Sequence, residues 1–221
     1  MAIARDANSY GTSSGATSTT VAHTITGSNT ILFSSVVSGT TDDLTGVTYN
    51  GVAMTFLKKH TQVTEGTVWH LYALIAPTTG ANNIVATRTG STGVLGVNSE
   101  SYTGVYQGGL ATTDGVVSSS KSENVDDITD SITTVADNSW IISVAYDGGS
   151  GTTAAGTNNS LINLGSGYHA LGDTNAAQTP VGSKSMQWTA TGAKDWVMIM
   201  ASFAPDTFVP AVTFIPSVII I

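Results

Sequence analysis

Along most of the chain apolar residues alternate with small polar ones, and the alternating runs are bounded by clusters of Gly, Asn, Asp and Ser. A period of two marks strands with one buried face, and no window shows the three-to-four spacing of an amphipathic helix. The pattern predicts strands near Thr19–Ile25, Thr30–Val37, Gly46–Lys59, Thr67–Ile75, Asn82–Arg88 and Gly93–Tyr102. A second series is predicted near Ala111–Ser118, Ile128–Val135, Ser139–Tyr146, Tyr168–Leu171, Ser183–Thr189 and Trp196–Phe203. Trp196–Phe203 is apolar at nearly every position, as a central strand covered on both faces must be. Trp196–Pro205 echoes Trp69–Pro77, and both close on Ala-Pro, although similarity between two buried strands accounts for the echo as well as duplication does.

Turn chemistry divides these strands. Asn50-Gly51 lies between Val47-Thr48-Tyr49 and Val52-Ala53-Met54, and an Asn-Gly pair suits a type I′ hairpin turn, where both central residues take positive φ. Asp114-Gly115 and Asp147-Gly148-Gly149 are weaker signals of the same kind. Gly148–Gly167, rich in Gly, Thr, Ala, Asn and Ser, reads as a long surface loop, with a flexible linker as the alternative. The expected fold is an all-β antiparallel sandwich, jelly-roll-like, with residues 1–207 as one domain and residues 208–221 as an extended apolar arm.

Composition narrows the function classes. Only 10% of residues are charged, while Ser and Thr supply about a quarter of the chain, so solubility rests on hydroxyls and backbone. The formal charge of −8 and a single adjacent basic pair, Lys58-Lys59, argue against nucleic acid as a partner. With no cysteine, neither disulfides nor thiolate metal sites can form. Met1-Ala2-Ile3-Ala4-Arg5-Asp6 does not open a secretory signal, and no apolar run has the length of a membrane span. The most apolar segment is the C-terminal one, broken by Pro210 and Pro216; its Phe208, Phe214, Ile215, Val218, Ile219, Ile220 and Ile221 are expected to bury against another subunit.

Few residues suggest chemistry. His23, His60, His70 and His169 are scattered over separate strands without metal-ligand spacing. Glu123, Asp126, Asp127 and Asp130 could offer oxygens to calcium, but their spacing reads better as a solvated acidic turn, as does that of Asp42-Asp43. There is no phosphate loop, no strand-to-helix nucleophile elbow, and there are only three glutamates, Glu65, Glu100 and Glu123. No enzymatic activity, metal or cofactor is expected. Trp69, Trp140, Trp188 and Trp196 could stack on sugar rings; three of them begin or sit inside apolar strands, which leaves Trp188, alternating with polar neighbours, as the candidate glycan-binding residue.

Three segments in order, Val47-Thr48-Tyr49-Asn50-Gly51-Val52-Ala53-Met54, Trp69-His70-Leu71-Tyr72-Ala73-Leu74-Ile75-Ala76-Pro77 and Glu100-Ser101-Tyr102-Thr103-Gly104-Val105, together with Asn83–Thr87, resemble a β-sandwich repertoire of bacteriophage structural proteins and bacterial surface proteins. The resemblance covers about Thr19–Val105 and contains no catalytic residue. It implies a non-enzymatic jelly-roll-like module of a virion: a capsid decoration protein, a spike or fibre base, or a minor tail protein. Such a protein assembles in the host cytoplasm and contacts other virion proteins and copies of itself. A carbohydrate- or receptor-binding module that meets a host surface glycan is the alternative.

Overall fold

The computed structural model describes residues 1–62, 64–108, 115–134, 136–148, 153–165 and 169–209. Every regular element among them is a strand, and every pairing is antiparallel. The first half contains β1 (Ala4–Ser14), β2 (Ser18–Ile25), β3 (Ile31–Val37), β4 (Leu44–Tyr49), β5 (Val52–Ala53), β6 (Thr55–Thr61), β7 (Val68–Ile75), β8 (Gly80–Arg88) and β9 (Val94–Thr103). The second contains β10 (Gly115–Thr134), β11 (Trp140–Tyr146), β12 (Ala154–Ala155), β13 (Ser160–Gly165), β14 (His169–Asp173) and β15 (Gly182–Phe203). No helix among the described residues is long and apolar enough to cross a membrane.

The first half is wound as a jelly roll. Its middle sheet runs β1-β9-β3-β7-β6 and its outer sheet β2-β8-β4-β5, so that most successive strands cross from one sheet to the other. β2 shows why the alternating pattern works: Thr19, Val21, His23 and Ile25 point inward while the residues between them face solvent. The second half forms a further sheet, β10-β15-β11-β14-β13, with β12 paired to β15. Ranked by their order along the chain, the five strands of the middle sheet and the five of this path follow the same sequence, 1-5-2-4-3. The echo between Trp69–Pro77 and Trp196–Pro205 does not follow this correspondence, because β7 ranks fourth in its sheet and β15 fifth.

Three apolar layers hold the stack together. Leu32, Val36, Leu95 and Val97 of the middle sheet meet Val21, Val47, Tyr49 and Ile84 of the outer sheet. On its other face Ile31, Phe33, Trp69 and Leu71 meet Ile142, Val144, Val197, Ile199 and Phe203. The middle sheet is thus covered on both sides, which is why all seven residues of β3 are buried. The third layer lies on the far face of the second-half sheet. There Ile128, Ile132, Met186 and Trp188, from the distal part of the paired strands β10 and β15, cover Ile141, Ala145, Met198 and Met200. This pair of strands folds back over its own sheet, and register shifts between Lys121 and Val125 and between Val125 and Asp127 mark the corner.

Several expectations change here. Ser183–Thr189 and Trp196–Phe203 belong to one strand, β15, and Ile128–Thr134 continues the strand that begins at Gly115; Ala111–Asp114 lie outside the described residues. Gly148–Gly167 is not a plain loop, since β12 and β13 lie within it and pair with β15 and β14. β1 was not indicated by the pattern. Asn50 and Gly51 do form the tight turn, with φ of 48° and 76°, and join Tyr49 to its partner Val52. Phe208 packs edge-on against Tyr106 of its own chain, with ring centroids 5.4 Å apart, while Phe214, Ile215, Val218, Ile219, Ile220 and Ile221 lie outside the described residues.

Candidate functional site: an aromatic cleft between the facing sheets

At one end of the stack the last residues of β1, β3 and β11 and the first of β7, β9 and β14 come together, because antiparallel pairing returns each neighbouring strand to the same edge. Between them opens a cleft of about 520 Å³, within the usual range for small-molecule sites. The half-exposed rings of Tyr10 and Tyr146 line it, with Trp69 and His169 buried deeper. Trp69 stacks on Tyr146 at 4.9 Å and 26° and meets the edge of His169 at 4.7 Å and 87°. Tyr10 packs edge-on to His169 at 6.2 Å. Thr12, Ser13, Thr40 and Thr67 add hydroxyls, and the described lining contains no Lys, Arg, Asp or Glu.

Each ring is held in place. Trp69 Nε1 donates to Thr67 Oγ1 at 3.0 Å, and the Tyr146 hydroxyl donates to Glu65 on the β6–β7 turn. His169 Nε2 shares a 2.8 Å hydrogen bond with Ser35 Oγ, and its carbonyl accepts from Asn98 Nδ2 at 2.7 Å. Burial lowers the His169 pKa to about 3, so the imidazole is neutral, and its Nδ1 has no hydrogen-bond partner. Gly165 makes room for Tyr10: a Cβ there would sit 2.2 Å from the tyrosine ring.

Two polar networks lie elsewhere between the layers. Arg5 of β1 grips Asp173 of β14 through Nε at 2.9 Å and Nη2 at 2.5 Å, and the buried Tyr102 hydroxyl donates to the same carboxylate at 2.9 Å. The hydrogen bond to Asp173 raises the Arg5 pKa, and burial, with Asp173 next, raises that of Tyr102 well above its ordinary value. Beside them Glu100 is 1% exposed, its Oε2 lacks a partner, and burial reinforced by Asp173 pushes its pKa up to about 8. On the opposite face of the middle sheet Ser9 Oγ lies 2.8 Å from His23 Nδ1, His23 Nε2 lies 3.1 Å from Ser101 Oγ, and Ser101 donates to Asp6 at 2.8 Å. A serine beside a histidine is the start of a nucleophile's geometry, but burial lowers the His23 pKa to about 4 and the cleft does not reach Ser9. These networks tie strands together; Asn98, Arg5 and Tyr102 each bridge the middle and second-half sheets.

The residues singled out from sequence fare unevenly. Trp188 is fully buried and donates its indole N–H to Ser143 Oγ at 2.8 Å, so it offers no face to a sugar; the folded-back β10–β15 pair turns it onto the sheet. Trp140 and Trp196 are also buried, and of the four tryptophans Trp69 reaches the cleft. The histidines do not gather. His70 contacts Asp42 at 3.1 Å, which also accepts from Lys59, and burial lowers the pKa of His70 and of His60. Glu123, Asp126, Asp127 and Asp130 are strung along β10, where Asp127 accepts from Gln187 at 2.6 Å and Asp130 from the Ser131 N–H at 2.8 Å. Among the described residues no group of three metal-ligating side chains is present. Sequence reading missed Tyr10, Tyr146 and His169 as one site, since nothing in their spacing announces that three distant strands meet. Comparison with family models, curated proteins and solved structures returns no match.

Proposed function

We propose that this chain is a non-enzymatic structural protein of a bacteriophage virion, acting as a capsid decoration protein, a spike or fibre base, or a minor tail protein through repeated contacts with other virion proteins and with copies of itself. The observation that carries this reading is the jelly-roll order of residues 4–103, an architecture recurrent in viral capsid proteins, joined to the motif series of the same segment. Analogy of fold is its warrant, and no side chain is assigned a catalytic role. The same strand order recurs in the middle and second-half sheets, and Arg5, Arg88 and Asp173 tie strands and layers internally. The test is fractionation of intact particles: the protein should band with them in a fixed stoichiometry and form a symmetric oligomer on its own. A protein found solely in the particle-free fraction, and monomeric at every concentration, refutes the reading.

A second reading, a carbohydrate- or receptor-binding module, is favoured by one observation, the aromatic cleft with its ring of hydroxyls. Jelly rolls also serve as lectin domains, and the two roles coexist on a virion that meets a host glycan.

A further inference from the structure

Building on that second reading, we infer that the cleft between Tyr10, Trp69, Tyr146 and His169 binds an uncharged sugar, with a pyranose ring packed against the tyrosines. The apolar C–H face of a pyranose suits a flat aromatic surface, and Tyr10 and Tyr146 present half-exposed rings there. Both are braced from behind, Tyr146 by the Trp69 stack and Tyr10 by the edge of His169, so little side-chain entropy remains to be lost on binding. Sugar hydroxyls need partners that both donate and accept. Thr12, Thr40 and Thr67 supply short hydroxyls of that kind around the opening. At the floor the buried His169 ring closes the cleft.

Charge selects the class of sugar. The described lining holds no cation, and the Arg88 guanidinium behind Gly39 gives its N–H groups to the carbonyls of Ala16, Ser38, Thr92 and Gly93. Glu65, bonded to Tyr146, places negative charge near the cleft wall, and the chain as a whole carries −8. A sialylated or uronate-bearing glycan would meet this negative charge with no cation in the described lining to pair with it, whereas a neutral hexose or N-acetylhexosamine meets no such repulsion. With about 520 Å³ the cleft has room for more than one ring.

The experiment is a glycan array carrying neutral hexose and N-acetylhexosamine oligosaccharides beside sialylated and uronate-bearing ones, followed by calorimetric titration of any sugar retained. Neutral oligosaccharides should be held, Tyr10→Ala should weaken them about tenfold, and Tyr10→Phe should preserve them. Thr40→Trp, which blocks the opening from an exposed position, should abolish binding without a change in melting temperature, and so keeps the test decisive if Tyr10→Ala is poorly folded. Phe56→Ala, an exposed aromatic elsewhere, should bind as the wild type does. Equal retention of acidic glycans overturns the assignment to neutral sugars while leaving the carbohydrate reading standing. Undiminished binding by folded Tyr10→Ala and Thr40→Trp overturns this cleft as the site, and an array on which nothing is retained overturns the carbohydrate reading together with it.

Discussion

Glu100 makes the fold lose stability as the pH rises from 4.5 to about 8, and Glu100→Gln isolates the effect. The carboxyl lies between the middle and second-half sheets with Asp173, Asp6 and Arg5 as its charged neighbours; the two aspartates and burial disfavour its ionised form, and Arg5 offsets part of this. Its pKa rises from 4.5 to about 8 on folding. The fold therefore favours the protonated acid: its contribution is complete below pH 4.5, declines above it, and is gone once the pH passes about 8. At about 1.4 kcal/mol per pH unit, that interval corresponds to roughly 5 kcal/mol. Glutamine keeps the neutral shape at every pH. In urea unfolding the two proteins should be nearly equal at pH 4.5, and the variant should gain on the wild type as the pH rises, by roughly 3–5 kcal/mol at pH 9, with unchanged denaturant dependence. Taking the difference between variant and wild type at each pH cancels the other titrating groups. A difference that stays constant from pH 4.5 to 9 would show that Glu100 ionises as readily in the folded chain as in the unfolded one, and the reasoning would be refuted.

Further outcomes follow from the same geometry. Acid should act through the histidines: the folded pKa values of His23 and His169, about 4 and about 3, lie below the ordinary 6.5, so their contribution is present above pH 6.5 and lost as the pH falls through those values. In the Glu100→Gln background, urea midpoints at pH 6.5 and 4 should show a loss of roughly 3 kcal/mol or more. Gly51→Val should lower stability by about 1 kcal/mol or more through backbone strain at positive φ, since a Cβ there meets nothing within 4 Å; an unchanged melting temperature would contradict the turn's requirement. Trp188→Phe removes a buried indole and its hydrogen bond to Ser143 and should cost about 2 kcal/mol in urea unfolding while leaving sugar binding intact; the reverse pattern would return Trp188 to the binding site.

The parts of the fold legible in the sequence are those where local chemistry and final environment agree. β2 alternates because one of its faces is solvated, and Asn50-Gly51 states its own backbone geometry. Trp196–Phe203 lies between β10 and β11 with both faces covered, as its unbroken apolar run requires. β1 was illegible for the opposite reason. Its polar Ala4–Ser14 sequence is that of a half-exposed edge, and the pairing that makes it a strand is supplied by β9, some ninety residues away in the register Ala4 to Thr103 through Ser14 to Val94. Trp188 shows how far periodicity reaches. Alternation in Ser185-Met186-Gln187-Trp188-Thr189 correctly marks a strand with two unlike faces, but the face that is buried depends on β15 pairing with the distant β10 and the pair folding back. The cleft is illegible on the same ground: Tyr10, Trp69, Tyr146 and His169 belong to four strands in two sheets and meet after those sheets have packed.

The order of layers along the chain has a consequence for biosynthesis. All strands of the outer and middle sheets lie before Gly104, and all strands of the second-half sheet after it. A ribosome therefore delivers the complete jelly roll while the sheet destined to cover its other side is still to be translated. In that interval Ile31, Phe33, Trp69 and Leu71 form a bare apolar face, and the outer sheet cannot shield it because these side chains point the other way. Translating the remaining hundred or so residues takes roughly 5–20 s, during which a nascent chain with such a face is a client for chaperones and a hazard for pairing with another copy of itself.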